Sequence, residues 1–163
     1  MKFKLALLST AIFLTACAGS QPERVVTKGP LICAADEICP NLSIGWIEDK
    51  RNGFKIAAEI SNPSKYEIKQ LNFIVDGQSY VYSTLKTTQF ITVAGVTSSS
   101  NHIYVPVSFL NSFRDAKNIE LNIVTDQGEI TRPILKENGE KSSAYLTFLK
   151  GYSNQSVKNE AKQ

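Results

Sequence analysis

The sequence predicts a mainly β protein: a single antiparallel β-sandwich-like domain with a short inserted helix and a C-terminal helix. Three observations carry that prediction. From about Leu42 to Lys136 apolar residues recur at every second position in short runs broken by turn residues, the pattern of half-buried strands. Asp76-Gly77 lies between two such runs, and a two-residue hairpin turn needs positive φ at both positions. The period lengthens to about 3.6 in two places, after Ser108 and after Ser142.

Each element follows from its own residues. Leu42, Ile44 and Trp46 form one strand, and Asn52-Gly53 can turn it into a second, in which Phe54, Ile56, Ala58 and Ile60 alternate with Lys55, Ala57 and Glu59. Asn62-Pro63-Ser64 ends that strand. Tyr66 and Ile68 lie on one parity but Leu71, Phe73 and Val75 on the other, which predicts a bulge near Lys69-Gln70. The Asp76-Gly77 turn sets Val75 opposite Gln78, Phe73 opposite Tyr80 and Leu71 opposite Tyr82, so these side chains share a face. That face is either core or an aromatic platform for a ligand.

A run from Gln89 to Ala94 ends at Gly95, and the polar stretch Val96 to Asn101 reads as a loop. Ile103, Val105 and Val107 then alternate with His102, Tyr104 and Pro106, where proline marks an edge or a strand end. Ser108 is a candidate N-cap for a short helix bearing Phe109, Leu110, Phe113 and Ala116. Ile119, Leu121 and Ile123 form a strand that Asp126-Gln127-Gly128 turns into Glu129 to Lys136, with Pro133 again suggesting an edge. Ser142 can cap a second helix striped by Tyr145, Leu146, Phe148, Leu149 and Tyr152, ending at Gly151 and Ser153-Asn154. Residues 31–152 are then the β-rich domain, roughly 120 residues with room for one core. Residues 153–163 read as a disordered polar tail.

Of 163 residues, 42% are apolar and 20% charged, the composition of a folded chain. Its amino end differs in kind. Met1-Lys2-Phe3-Lys4 supplies two positive charges before an apolar run from Leu5 to Ala16, the order of a secretory signal. As a helix those 12 residues rise about 18 Å, short of the roughly 30 Å hydrocarbon core. Removing Lys2 and Lys4 from 18 basic residues leaves 16 against 15 acids, a net +1. So small a charge gives no field for a nucleic-acid partner.

The run ends in Leu14-Thr15-Ala16-Cys17, which resembles the lipobox of bacterial lipoproteins: an aliphatic residue, two small ones, then the cysteine that is lipidated. The resemblance covers residues 1 to about 20. It implies a signal peptide over 1–16, a diacylglyceryl thioether on Cys17 and a further acyl chain, such as palmitate, on the freed amine. Two or more chains anchor stably where one does not. An ordinary secretory signal fits less well, because Leu14 stands where a small residue is expected. In the sorting pattern of enteric lipoproteins an aspartate after the cysteine favours the inner membrane, so Ala18 implies the outer membrane, periplasmic side. Residues 17–30, opening with Ala18-Gly19-Ser20-Gln21-Pro22, read as a lipidated flexible tether.

Cys33 and Cys39 remain, with five residues between them, Asp36 and Glu37 included. In an exported protein they pair most simply with each other, contributing about 2 kcal/mol by loop closure. A redox pair would want Cys-x-x-Cys and positive neighbours, and one histidine, His102, makes no metal set. Neither a nucleophile elbow nor a phosphate-cradling glycine loop is present. The expectation is therefore a non-enzymatic module without a cofactor, anchored in the membrane and meeting an envelope protein partner. His102 and Tyr104 should point outward, as either a contact face or an ordinary solvent-exposed strand face. A small-ligand or lipid-binding module is the alternative, and a cavity lined by Phe90, Phe109, Phe113 and Tyr145 would mark it. A filled core with an exposed strand edge would mark the interaction module.

Overall fold

The alternating apolar residues form the inner faces of two antiparallel sheets. A computed structural model describes residues 24–46 and 53–160, with side chains at 27–46 and 53–151. The elements run β1 (Arg24–Pro30), β2 (Asn41–Trp46), β3 (Phe54–Asn62), β4 (Ile68–Val75), β5 (Gln78–Ser83), β6 (Gln89–Val93), β7 (Val96–Val105), α1 (Val107–Asp115), β8 (Ile119–Thr125), β9 (Gly128–Leu135) and α2 (Ser143–Glu160). Sheet A has the order β1-β2-β3-β7-β6 and sheet B the order β5-β4-β8-β9. Leu42, Ile44, Ile56 and Ile103 of sheet A and Leu71, Phe73, Leu121 and Ile123 of sheet B are all buried in one core. The fold is a β-sandwich with helices added, as the sequence predicts.

Several local expectations hold in detail. Asp76 and Gly77 take φ of 49° and 83°, and the hairpin pairs Val75 with Gln78, Phe73 with Tyr80 and Leu71 with Tyr82. The phase change is a register shift between Ile68 and Gln70 against β8. Pro106 follows the end of β7, and Pro133 lies in β9, the outermost strand of sheet B. Ser142 caps α2, its Oγ accepting a hydrogen bond from the Tyr145 N–H at 3.2 Å.

Other expectations are corrected. β1 pairs along β2, so residues 24–30 are sheet and not tether. Its inward positions Thr27 and Gly29 are small or polar, which hid the strand from a hydrophobic pattern. Gly29 is small for a reason: a Cβ there would meet the Ala144 backbone nitrogen at 2.8 Å, where α2 packs on the inner face of β1. Ser108 is not the cap of α1; the helix starts at Val107 after Pro106 with no side-chain cap. Burial of Phe109, Leu110 and Phe113 holds it instead. α2 continues past Gly151 to Glu160, overlapping the expected disordered tail. One glycine costs only about 1 kcal/mol in a helix already nucleated, and no proline follows it. Leu146 is exposed and drops out of the expected stripe, while the side chain of Tyr152 lies outside the described residues.

The two helices are joined by aromatic packing and one hydroxyl. Phe113 of α1 lies 5.4 Å from Tyr145 and 5.6 Å from Phe148 of α2, measured between ring centres. The Tyr145 hydroxyl donates to the carbonyls of Phe113 and Arg114 at 3.0 and 3.2 Å, satisfying the open end of α1. Burial pushes the Tyr145 hydroxyl above its ordinary pKa, and the charges of Asp115 and Asp76 add to the shift. Tyr145→Phe should therefore cost about 1 kcal/mol at neutral pH. The unfolded chain ionises this phenol first, near pH 10, and binds fewer protons there than the folded one, so this stabilisation is present below about pH 10 and lost as pH rises further. Thermal melts of both proteins should show the wild-type advantage narrowing above about pH 10; a gap constant with pH would contradict the assignment.

Candidate functional site

The serine-rich stretch expected as a loop is the first half of β7, and this correction defines the site. Ala94-Gly95, at φ 50° and 80°, turns β6 directly into β7. Thr97, Ser99 and Asn101 are buried on the inward side, continuing the parity of Ile103 and Val105. They are polar because they serve backbone groups. The Ser99 Oγ accepts from the Tyr66 N–H at 3.1 Å, and the Thr97 and Thr92 hydroxyls lie 2.8 Å apart. The Asn101 side-chain nitrogen donates to the carbonyls of Ile68 and Lys86 at 3.0 and 2.9 Å. Thr88 completes the cluster, accepting from the Ile68 N–H at 2.9 Å. A hydrophobic pattern cannot register such a strand, although the even spacing from Thr97 to Val105 carries the signal.

With those residues turned inward, the opposite parity of β7 faces out. Tyr104, His102, Ser100, Ser98 and Val96 form one row, with Lys55, Ala57, Glu59 and Ser61 of β3 beside it. On the other side the same row meets Gln89, Ile91 and Val93 of β6. His102 and Tyr104 point outward as expected, their rings 5.5 Å apart and nearly perpendicular. At the other end Ile91 and Val93 are 64% and 69% exposed. Among the described residues, four of the eight large exposed apolar side chains, Tyr104, Ile91, Val93 and Val96, lie on this one sheet face. The row from Val96 to Tyr104 is about 27 Å long.

Between the two ends lies a hollow of about 210 Å3 bordered by Lys55, Lys86, Thr87, Gln89 and His102 over Ala57 and Ser100. Sequence reasoning singled out His102 but missed the lysines, because Lys55 comes from β3 and Lys86 from the crossover between sheets. The nearest acid along β3, Glu59, is held by Lys28 of β1 at 3.1 Å. β1 lies across β2 on the side away from β7.

The remaining candidate residues fall elsewhere. Cys33 and Cys39 are bonded, with Cα atoms 5.7 Å apart. Their loop docks on the outer strand of sheet B: Ile32 N–H donates to Pro133 O at 3.1 Å and Arg132 Nε to Ile38 O at 3.0 Å. Cys17 and the lipobox lie outside the described residues. Phe109, Phe113 and Tyr145 fill the core with Phe73 and Phe148, whereas Phe90 is on β6, 42% exposed, with the Lys65 ammonium 5.6 Å from its ring centre. The four residues therefore line no common cavity. Tyr80 and Tyr82 are half-buried against Phe109, at 5.1 and 5.4 Å, which makes them core residues and not a platform. Among the described residues no helix is long and apolar enough to cross a membrane, and no three metal-ligating side chains gather. Comparisons with protein-family models, curated proteins and solved structures find no match.

Asn101→Ala removes the donor to the Lys86 carbonyl, while the Ile68 carbonyl keeps the Thr84 and Thr88 hydroxyls, and should destabilise the domain by about 1–3 kcal/mol. The His102→Ala/Tyr104→Ala double variant should melt within about 0.5 kcal/mol of wild type, as exposed substitutions do. Denaturant titration of both proteins checks the pair, and the opposite ranking would mean that the two faces of β7 are reversed.

Proposed function

We propose that the protein is a lipid-anchored lipoprotein on the periplasmic side of the outer membrane, whose sandwich is a non-enzymatic interaction module working through the outer face of sheet A. The observation that carries this is the clustering of exposed Ile91, Val93 and Val96 at one end of that sheet face, with exposed Tyr104 at its other end. Exposed apolar groups gathered on one face in this way mark contact sites more often than scattered ones do. β6 adds an unpaired outer edge with neither charge nor proline in Gln-Phe-Ile-Thr-Val, lacking the usual devices that discourage strand addition. Leu14-Thr15-Ala16-Cys17 supports the anchor and Ala18 the outer membrane. The Cys33–Cys39 bond suits an oxidising compartment.

Two measurements test the two halves. Cys17→Ala should abolish lipid labelling and processing at this site, and intact mass of wild-type protein should show acyl chains on Cys17. An unlipidated mature chain beginning elsewhere would remove the anchor. A photo-crosslinking residue at Tyr104 or Ile91 should give a discrete adduct in intact cells, whereas one at Val81, exposed on the outer face of sheet B, should not. Equal adducts from both sheets, or none from sheet A, would remove the contact face.

A further inference from the structure

We infer that the partner met by sheet A is a second copy of this chain, joined edge to edge through β6 about a two-fold axis at Ile91. This rests on the outer face of sheet A and its β6 edge being the contact region. The β6–β7 turn fixes which groups stand at that edge. Ala94 and Gly95, both at positive φ, make a two-residue turn whose flanking residues, Val93 and Val96, form a hydrogen-bonded pair. Such pairs alternate along an antiparallel ladder, so Gln89, Ile91 and Val93 turn their N–H and C=O groups toward β7. Phe90 and Thr92 turn theirs the other way, along the outer side of the outermost strand described in sheet A.

Those edge groups are symmetric about Ile91, the middle residue of the strand. In an antiparallel pair centred there, Phe90 of each copy faces Thr92 of the other and exchanges two hydrogen bonds with it. Ile91 faces its own twin at a non-hydrogen-bonded position, where side chains come closest, and Gln89 faces the twin of Val93. The axis stands perpendicular to the sheet, so exposed Ile91, Val93 and Val96 of both copies merge into one patch on the same face. Phe90, exposed although it shares the parity of buried Ser99, gains a β-branched neighbour across the joint. The strand Gln-Phe-Ile-Thr-Val carries no charge, so its two copies pair without opposing like charges. Such an isologous joint uses both edges at once and closes at two chains. Five residues span only about 17 Å, a small contact beside the roughly 1,200 Å2 of a stable free interface. The proposed anchor compensates, because copies tethered to one membrane meet at a raised effective concentration and present β6 at the same height.

The test uses the full-length protein in intact cells, with one cysteine added to β6 and mild oxidation by copper phenanthroline. Ile91→Cys should give a disulfide-linked dimer of this chain, because directly opposed non-hydrogen-bonded positions lie within disulfide reach. Gln89→Cys and Val93→Cys each stand about 14 Å out of register with their own twins. Alone, each should give about tenfold less dimer; co-expressed, they should join to each other. Adding Ile91→Lys to both chains of that co-expressed pair sets like charges at the axis and should lower its yield about fivefold. The melting temperature should not change, since Ile91 is exposed. No dimer from Ile91→Cys, or equal dimers from all three single positions, overturns the proposal. A photo-crosslinker at Ile91 that then captures a chain of another mass leaves the contact face standing and removes only the second copy as its occupant. No adduct from any position on sheet A removes both.

Discussion

The side-chain amide of Asn101 is the point on which the outer face of sheet A depends. It stands on β7 of sheet A, yet its nitrogen holds the carbonyl of Ile68, the first residue of β4 in sheet B, and that of Lys86 in the crossover between the sheets. A buried amide with its partners in place contributes modestly, but an unpaired buried carbonyl costs far more, so the geometry is steep. Because Asn101 must turn inward, His102 and Ser100 on either side of it must turn outward. The same constraint therefore ties the sheets together, places the crossover and decides which residues meet solvent.

The treatment of the sheet edges is unequal. β9, outermost in sheet B, is covered by the disulfide loop, whose Ile32 N–H donates to the Pro133 carbonyl and whose Ile38 carbonyl accepts from Arg132, with an Arg132–Glu37 ion pair at 3.4 Å. α2 packs against β1 so closely that only glycine fits at position 29. Among the described residues β6 carries no such covering beyond the Lys65 ammonium on Phe90, and its five residues are all exposed. A disulfide-closed loop thus blunts one edge, while the uncharged strand at another keeps an edge open to strand addition.

The parts of the fold that were legible in the sequence are those governed by apolar alternation and by turn chemistry. Asp76-Gly77 fixed a register because few residues tolerate positive φ twice in succession, and the parity switch after Ile68 located a bulge. What escaped notice shares one cause: inward positions occupied by polar or small residues. Thr27 and Gly29 concealed β1, and Thr97, Ser99 and Asn101 concealed half of β7, because burial there is stabilised by hydrogen bonds and close backbone approach. Of the candidate site, His102 and Tyr104 could be read from their neighbours on one strand. Lys55 and Lys86 could not, since only the pairing of β3 with β7 and the Asn101 anchor bring them to the same hollow.

If Cys17 carries the proposed lipid, the early start of β1 limits how far the domain can roam. Cys17 precedes Arg24 by seven residues, and a fully extended chain of that length reaches about 25 Å at most. With lipid on Cys17, this leash keeps the edge of sheet A within a shell less deep than the bilayer's full thickness of about 40 Å. β6 lies four strands beyond β1 in the same sheet, about 19 Å away at normal strand spacing. Pivoting on its leash, the domain could raise that bare strand about 45 Å from the lipid surface. Anything it meets must come within that altitude, so the anchor would select partners by their height above the membrane as well as by their chemistry.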